Sequence, residues 1–191
     1  MDFIVNHLLT LILFSPALAG VIIFLLPREE ENLLRWVSFV VSFIPLIFAL
    51  VLWFQFDKAG AGFQFEDKVI WYSAINSSYH LGVDGISLSM VLLTTLLTPL
   101  AILASFSIKD RVKSYMILFF LLEMGMLGVF LSLDLLMFFV FWEFGLVPMY
   151  FLINQWGSAN RNYASLKFFI YTMAGSLGLL LAIQMLGVLF Q

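Results

Sequence analysis

Residues 135–153 read Leu-Leu-Met-Phe-Phe-Val-Phe-Trp-Glu-Phe-Gly-Leu-Val-Pro-Met-Tyr-Phe-Leu-Ile, an apolar run with one charged side chain, Glu143. As a helix rising about 1.5 Å per residue, it would be about 28 Å long, close to the thickness of a bilayer's hydrocarbon core. Lipid offers no partners for backbone N–H and C=O groups, so a run of this kind is stable there only as a helix. Barrel strands are about half as long and alternate in polarity, which this run does not.

Five more such runs flank it, at 8–26, 36–56, 86–108, 114–133 and 168–190. The predicted fold is therefore all-α: a polytopic membrane protein of six transmembrane helices. Composition agrees, with 63% apolar and 11% charged residues, against about 25% charged in soluble domains. There is no Cys, which excludes cysteine-ligated iron–sulfur clusters and thiolate zinc sites on this chain. His7 and His80 lie at the edges of segments, where neither could hold a metal alone. Residues 1–6 carry an acid and no Lys or Arg, the wrong flank for a cleaved signal, so the first run is expected to be a retained helix. The expected organisation is two helices and an outer loop over 1–81, then four helices over 82–191.

Orientation follows from the cations. Arg28, Arg35, Lys109, Arg111, Lys113 and Arg161 fall in the connections after the first, third and fifth helices. By the positive-inside rule these face the cytoplasm, which puts both termini on the outer side. The long connection at 57–81 contains Gly60 and Gly62 and then alternating stretches; it reads as a short hairpin on the outer face, with Trp71 and Tyr72 at the interface. Asp84 and Asp134 stand where the third and fifth helices begin, positions that suit a helix cap.

Of the charged side chains, only Glu123 and Glu143 lie deep within a span. Ionisable groups at mid-bilayer are costly and usually face protein or a water path. Glu123 precedes the fourth helix's outer end by about as many residues as Glu143 follows the fifth helix's start. Each is about 14–15 Å from the same turn, so the two sit at matching depth. A carboxyl whose burial is balanced by a nearby cation can take up and release a proton near neutral pH. Pro148 leaves the carbonyl of Phe144 without its helical donor, beside Glu143 and Gly145, which suggests a kink that could admit water. Lys167, about one turn inside the sixth helix, reads two ways: its amine snorkels to the headgroups, or it points inward toward Glu143. Thr94, Thr95, Thr98, Thr172 and Ser176 read as interhelical hydrogen-bonding groups, the glycines at 125, 128, 175 and 178 as close-packing sites, and Pro16, Pro45 and Pro99 as kinks.

Three stretches resemble one family: His-Leu-Gly-Val-Asp-Gly-Ile-Ser-Leu at 80–88, the run 128–153 containing Phe-Trp-Glu with Pro148 five residues past the acid, and Tyr-Ala-Ser-Leu-Lys-Phe-Phe-Ile-Tyr-Thr-Met-Ala-Gly-Ser at 163–176. They are similar to the M-type antiporter-like membrane subunits of respiratory complex I, the proton-pumping NADH:quinone oxidoreductase. The resemblance implies that Glu143 is the family's fifth-helix proton-channel glutamate. Glu123 is then its fourth-helix acid and Lys167 its sixth-helix lysine. It also implies the start of an inverted-repeat fold and a seventh-helix lysine paired with Glu143, which lies beyond these 191 residues. NADH, FMN, iron–sulfur clusters and quinone are expected on other subunits and no cofactor on this chain, which also lacks a Gly-x-Gly-x-x-Gly motif. The expected partners are other complex I membrane subunits, especially neighbouring antiporter-like chains, and the lipid of a bacterial inner membrane, with no nucleic acid. The alternatives are a subunit of a multi-chain Na⁺/H⁺ antiporter or membrane-bound hydrogenase, and a scaffold without catalytic function.

Overall fold

A computed structural model describes residues 7–58, 60, 62–72 and 77–189. In order, the elements are α1 (Leu8–Leu25), α2 (Glu31–Val41), α3 (Phe43–Gln55), β1 (Gln64–Tyr72), β2 (Ser77–Val83), α4 (Gly85–Ala104), α5 (Val112–Leu131), α6 (Leu135–Trp156) and α7 (Arg161–Leu189). Six spans are long and apolar enough to cross a membrane, α2 and α3 together forming the second.

The second span is broken at Ser42, one turn before Pro45. Proline cannot donate to the carbonyl four residues back, that of Val41, and its ring conflicts with it. Ser42 helps close the break by donating its hydroxyl to the carbonyl of Phe39 at 2.7 Å. In α1 the carbonyl freed by Pro16 belongs to Ile12, and the Ser15 hydroxyl donates to it at 3.0 Å. Helices α4 and α6 likewise run unbroken through Pro99 and Pro148. Four helices begin earlier than the apolar runs, by the widest margin at Glu31 and Arg161. Hydropathy marks where side chains turn apolar, whereas helical hydrogen bonding continues into the polar rim. Lys167 consequently stands nearly two turns inside its helix, not one.

β1 and β2 pair antiparallel, with Lys68 opposite His80 and Gln64 opposite Val83. A bulge lies between Gln64 and Asp67, where Phe65 takes a positive φ of 56°. Trp71 is half exposed and its indole N–H donates to the Ser77 hydroxyl at 2.7 Å; the side chain of Tyr72 lies outside the described residues. The expected division between 81 and 82 falls inside β2. It is no packing boundary, because α1 lies along α5 and α3 along α4.

α5 is the centre of the bundle, packed on α1, α4 and α6. Toward the hairpin, Leu9, Leu13, Leu81, Leu127 and Leu131 share one buried cluster; toward the opposite face, Ile23, Leu34, Ile102, Met116 and Phe120 share another. On that opposite face, cations close helix ends: Lys113 Nζ donates to the Leu26 carbonyl at 2.6 Å, and Arg35 to the Ile108 carbonyl at 2.8 Å. Each charge thus meets the negative end of a helix. α7 packs chiefly on α6 and leaves most of its surface open.

Candidate functional site: two mid-span acids

α6 starts at a strong cap. Asp134 Oδ1 accepts the backbone N–H groups of Leu136 and Met137, both at 2.9 Å. The same carboxylate anchors the hairpin, accepting the Ser77 hydroxyl at 3.2 Å and the Ser78 amide at 3.0 Å. The Leu133 amide donates to the His80 carbonyl at 2.8 Å. Helix start and hairpin are therefore one unit. The cap was legible in the sequence. The Ser77 and Ser78 contacts, more than fifty residues away along the chain, left no sequence signal.

Glu143 is half-buried, and its Oε1 is fully covered with no hydrogen-bond partner. It lies two turns before Tyr150, so both project from nearly the same side of α6. The Tyr150 ring meets Phe169 of α7 edge-on at 5.5 Å between centroids, which identifies that side as the one turned to α7.

Glu123 is wholly buried, and neither carboxylate oxygen has a partner. Its direction follows from two glycines. A Cβ on Gly125 would stand 3.0 Å from the Cα of Gly145, and one on Gly128 would overlap the Phe141 ring, so both glycines face α6. Glu123 is two residues from Gly125, about 200° around the helix, and therefore points away from α6. It shares its side with Phe120 and Leu127, buried against the rest of the bundle. Thr98 of α4 approaches it, though the Thr98 hydroxyl is donated to the Thr94 carbonyl at 3.0 Å. The expected match in depth does not hold: with Gly125 level with Gly145, Glu123 and Glu143 are offset in opposite directions and lie about 6 Å apart along the helix axes, in different compartments.

Lys167 is exposed, with its ammonium 5.5 Å from the centroid of the Tyr163 ring. Ser165 and Phe169, two residues to either side, face α6, so Lys167 lies on the far side of α7. Among the described residues, no ion pair joins it to either acid.

Between α5, α6 and α7 a cavity of about 360 Å³ opens, lined by Met126, Phe130, Phe141, Trp142, Leu146 and Thr172 among others. Among the described residues, no three His, Cys, Asp or Glu side chains gather as metal ligands would. A polar knot that the sequence did not reveal sits on the hairpin side. Asp67 Oδ2 accepts the Thr10 hydroxyl at 2.8 Å and lies 3.0 Å from His7 Nδ1, while Thr10 Oγ1 is 2.9 Å from the Tyr79 hydroxyl. Partial burial works against the Asp67 charge, but the bonds from His7 and Thr10 outweigh it and hold the carboxyl below its ordinary range.

The bundle of six spans thus carries a buried Glu123 and a half-buried Glu143 within two adjacent helices. Residues 132–189 match the family described as "NADH:quinone oxidoreductase/Mrp antiporter, TM". It is 42% identical over 182 residues to NADH-ubiquinone oxidoreductase chain 4 of Marchantia polymorpha, covering 94% of this chain and 36% of the relative. It is 40% identical to NADH-quinone oxidoreductase subunit M of Rhodobacter capsulatus, covering 93% and 35%. The chain thus spans about a third of the length of these relatives. Its fold superposes on a chain of the respiratory complex I from Thermus thermophilus with bound NADH, with a TM-score of 0.74, 24% identity, and 88% of this chain and 33% of that one covered. A chain of the membrane-bound sulfane sulfur reductase, an archaeal respiratory membrane complex, gives a TM-score of 0.73 at 26% identity, covering 92% and 27%.

Proposed function

We propose that this chain forms part of the proton-translocating membrane arm of an NADH:quinone oxidoreductase and that Glu143 is its proton-exchanging acid. The observation that carries the reading is the fully covered, unpartnered Oε1 of Glu143 at mid-span. Such a group is held neutral by its proton and, once ionised, calls for a cation beside it. In the proposed cycle Glu143 takes a proton as a cationic partner withdraws and gives it up as that partner returns. Glu123 is a second proton-holding acid in its own compartment. Lys167 is a cation on the rim, available to a neighbouring element.

NADH, FMN, iron–sulfur clusters and quinone would reside on other subunits. Energy would reach this chain through contacts with neighbouring antiporter-like subunits. The identities near 40% to chain 4 and subunit M proteins support this assignment. The helix-end cations Lys113 and Arg35 support a cytoplasmic location for their face in a bacterial inner membrane. The hairpin and both termini would then lie outside.

The test is Glu143→Gln in the assembled complex. Electron transfer from NADH to an artificial acceptor should persist, while quinone-linked turnover and proton pumping fall to a small fraction. Full coupled activity would refute the role. The likeness to the sulfane sulfur reductase chain favours a second reading, an ion-translocating subunit of another respiratory membrane complex. The co-purifying subunits decide between them, because only the first predicts a flavoprotein with an NADH site.

A further inference from the structure

Contacts between α6 and α7 set an antiparallel register. The Asn154 amide donates to Ser165 Oγ at 3.0 Å, and Tyr150 meets Phe169 at 5.5 Å between centroids. Four residues back along α6 thus correspond to four residues forward along α7. Two further turns along each helix bring Glu143 level with Ser176. Ser165, Phe169, Thr172 and Ser176 are spaced four, three and four residues apart, one continuous stripe. Exposure confirms which way that stripe faces at the level of Glu143: Ser176 is 5% exposed, whereas Met173 and Leu177 beside it are 42% and 54% exposed. Since α7 packs chiefly on α6, α6 is what covers Ser176.

The geometry points to Ser176 as a positioning residue for Glu143, its hydroxyl accepting from the protonated carboxyl and donating to the carboxylate. This rests on the proton-exchanging role of Glu143. The Ser176 hydroxyl now donates to the Met173 carbonyl of its own helix at 3.0 Å, which leaves its oxygen free to accept. Rotation about one bond redirects the proton toward α6. A hydroxyl is the smallest side-chain group able to serve both charge states of an acid in this way. Few other ionisable groups reach this level. Glu123 of α5 points away from α6, and Asp134 lies nine residues off, at the helix start. Lys167 is level with Leu152, about 13–14 Å toward the other face, and Tyr150 is two turns away.

The experiment compares Ser176→Ala, Ser176→Thr and Glu143→Gln in the full complex reconstituted in liposomes, each normalised to NADH oxidation by an artificial acceptor. Loss of a donor to a buried carboxylate should move the acid limb of the pH profile of coupled turnover up by about one pH unit in Ser176→Ala. Ser176→Thr, which keeps the hydroxyl, should restore it. An unmoved profile in Ser176→Ala, or a shift that threonine fails to reverse, overturns the inference while leaving Glu143 in place. Full coupling in Glu143→Gln instead overturns the underlying reading.

Discussion

Gly125 and Gly145 touch backbone to side in one direction only. A Cβ on Gly125 would stand 3.0 Å from the Gly145 Cα and 3.2 Å from its nitrogen, whereas a Cβ on Gly145 would meet nothing within 4 Å. Backbone atoms cannot swing aside, so Gly125→Ala should push α5 and α6 apart at a cost of about 1–3 kcal/mol. Gly145→Ala should be near neutral, or gain slightly from alanine's helix preference. Unfolding midpoints in detergent check both. Equal destabilisation by the two variants would contradict the one-sided contact.

Asp134 does two jobs, and its Oδ1 shares in both, since it also accepts the Ser77 hydroxyl of the hairpin. Oδ1 caps α6, and Oδ2 accepts the Ser78 amide. Asp134→Ala should therefore lose the cap and the anchor together, about 2 kcal/mol or more. Asp134→Asn keeps an acceptor for the cap but presents an N–H₂ group to the Ser78 amide. Hydrogen exchange at residues 77 and 78 should accelerate in the asparagine variant, while the first turn of α6 stays protected.

The link between α1 and the hairpin should depend on pH in one direction. Asp67 is held below its ordinary value of 3.8. Its contribution is therefore complete above that value and is lost as pH falls through the lower folded-state value. Hairpin protection should stay level, as far as Asp67 is concerned, from neutral pH to about 4 and drop below it. Asp67→Asn should weaken the hairpin already at neutral pH. Exchange rates across 67–72 and 77–83 measure this, and a wild-type loss centred well above pH 4 that Asp67→Asn leaves unchanged would assign the link to another group.

Glu123 and Glu143 should respond differently to substitution. Glu123 has two orphaned oxygens in a closed compartment, so Glu123→Leu removes a desolvation cost and should leave thermal stability equal or higher. Turned away from α6, Glu123→Gln should lower coupled turnover by less than Glu143→Gln does. Proton-pumping ratios in liposomes test the order, and a larger loss at 123 would reverse the assignment of the principal acid.

The six spans, the caps at Asp84 and Asp134 and the hairpin were legible along the chain, whereas of the prolines read alike as kinks only Pro45 stands at a break. Each legible feature rests on local chemistry or on the length that lipid imposes on a helix. Asp84 does close its helix, exchanging bonds with Ser87 at 2.7 and 2.9 Å. The place of each acid along its own helix is counted in residues at a fixed rise, but the register between the two helices, which sets them about 6 Å apart, was not legible. Nor was direction around the helix axis. α5 and α6 are apolar on nearly every side, so their sequences carry no polar stripe to mark an outer face. Only the approach of Gly125 to Gly145 and the pairing of Tyr150 with Phe169 settle that Glu123 looks inward, Glu143 looks toward α7 and Lys167 looks away. Sequence fixes position along a membrane helix through hydrogen bonds and bilayer thickness. Rotation about the helix axis is decided by contacts between helices, which exist only once the bundle has formed.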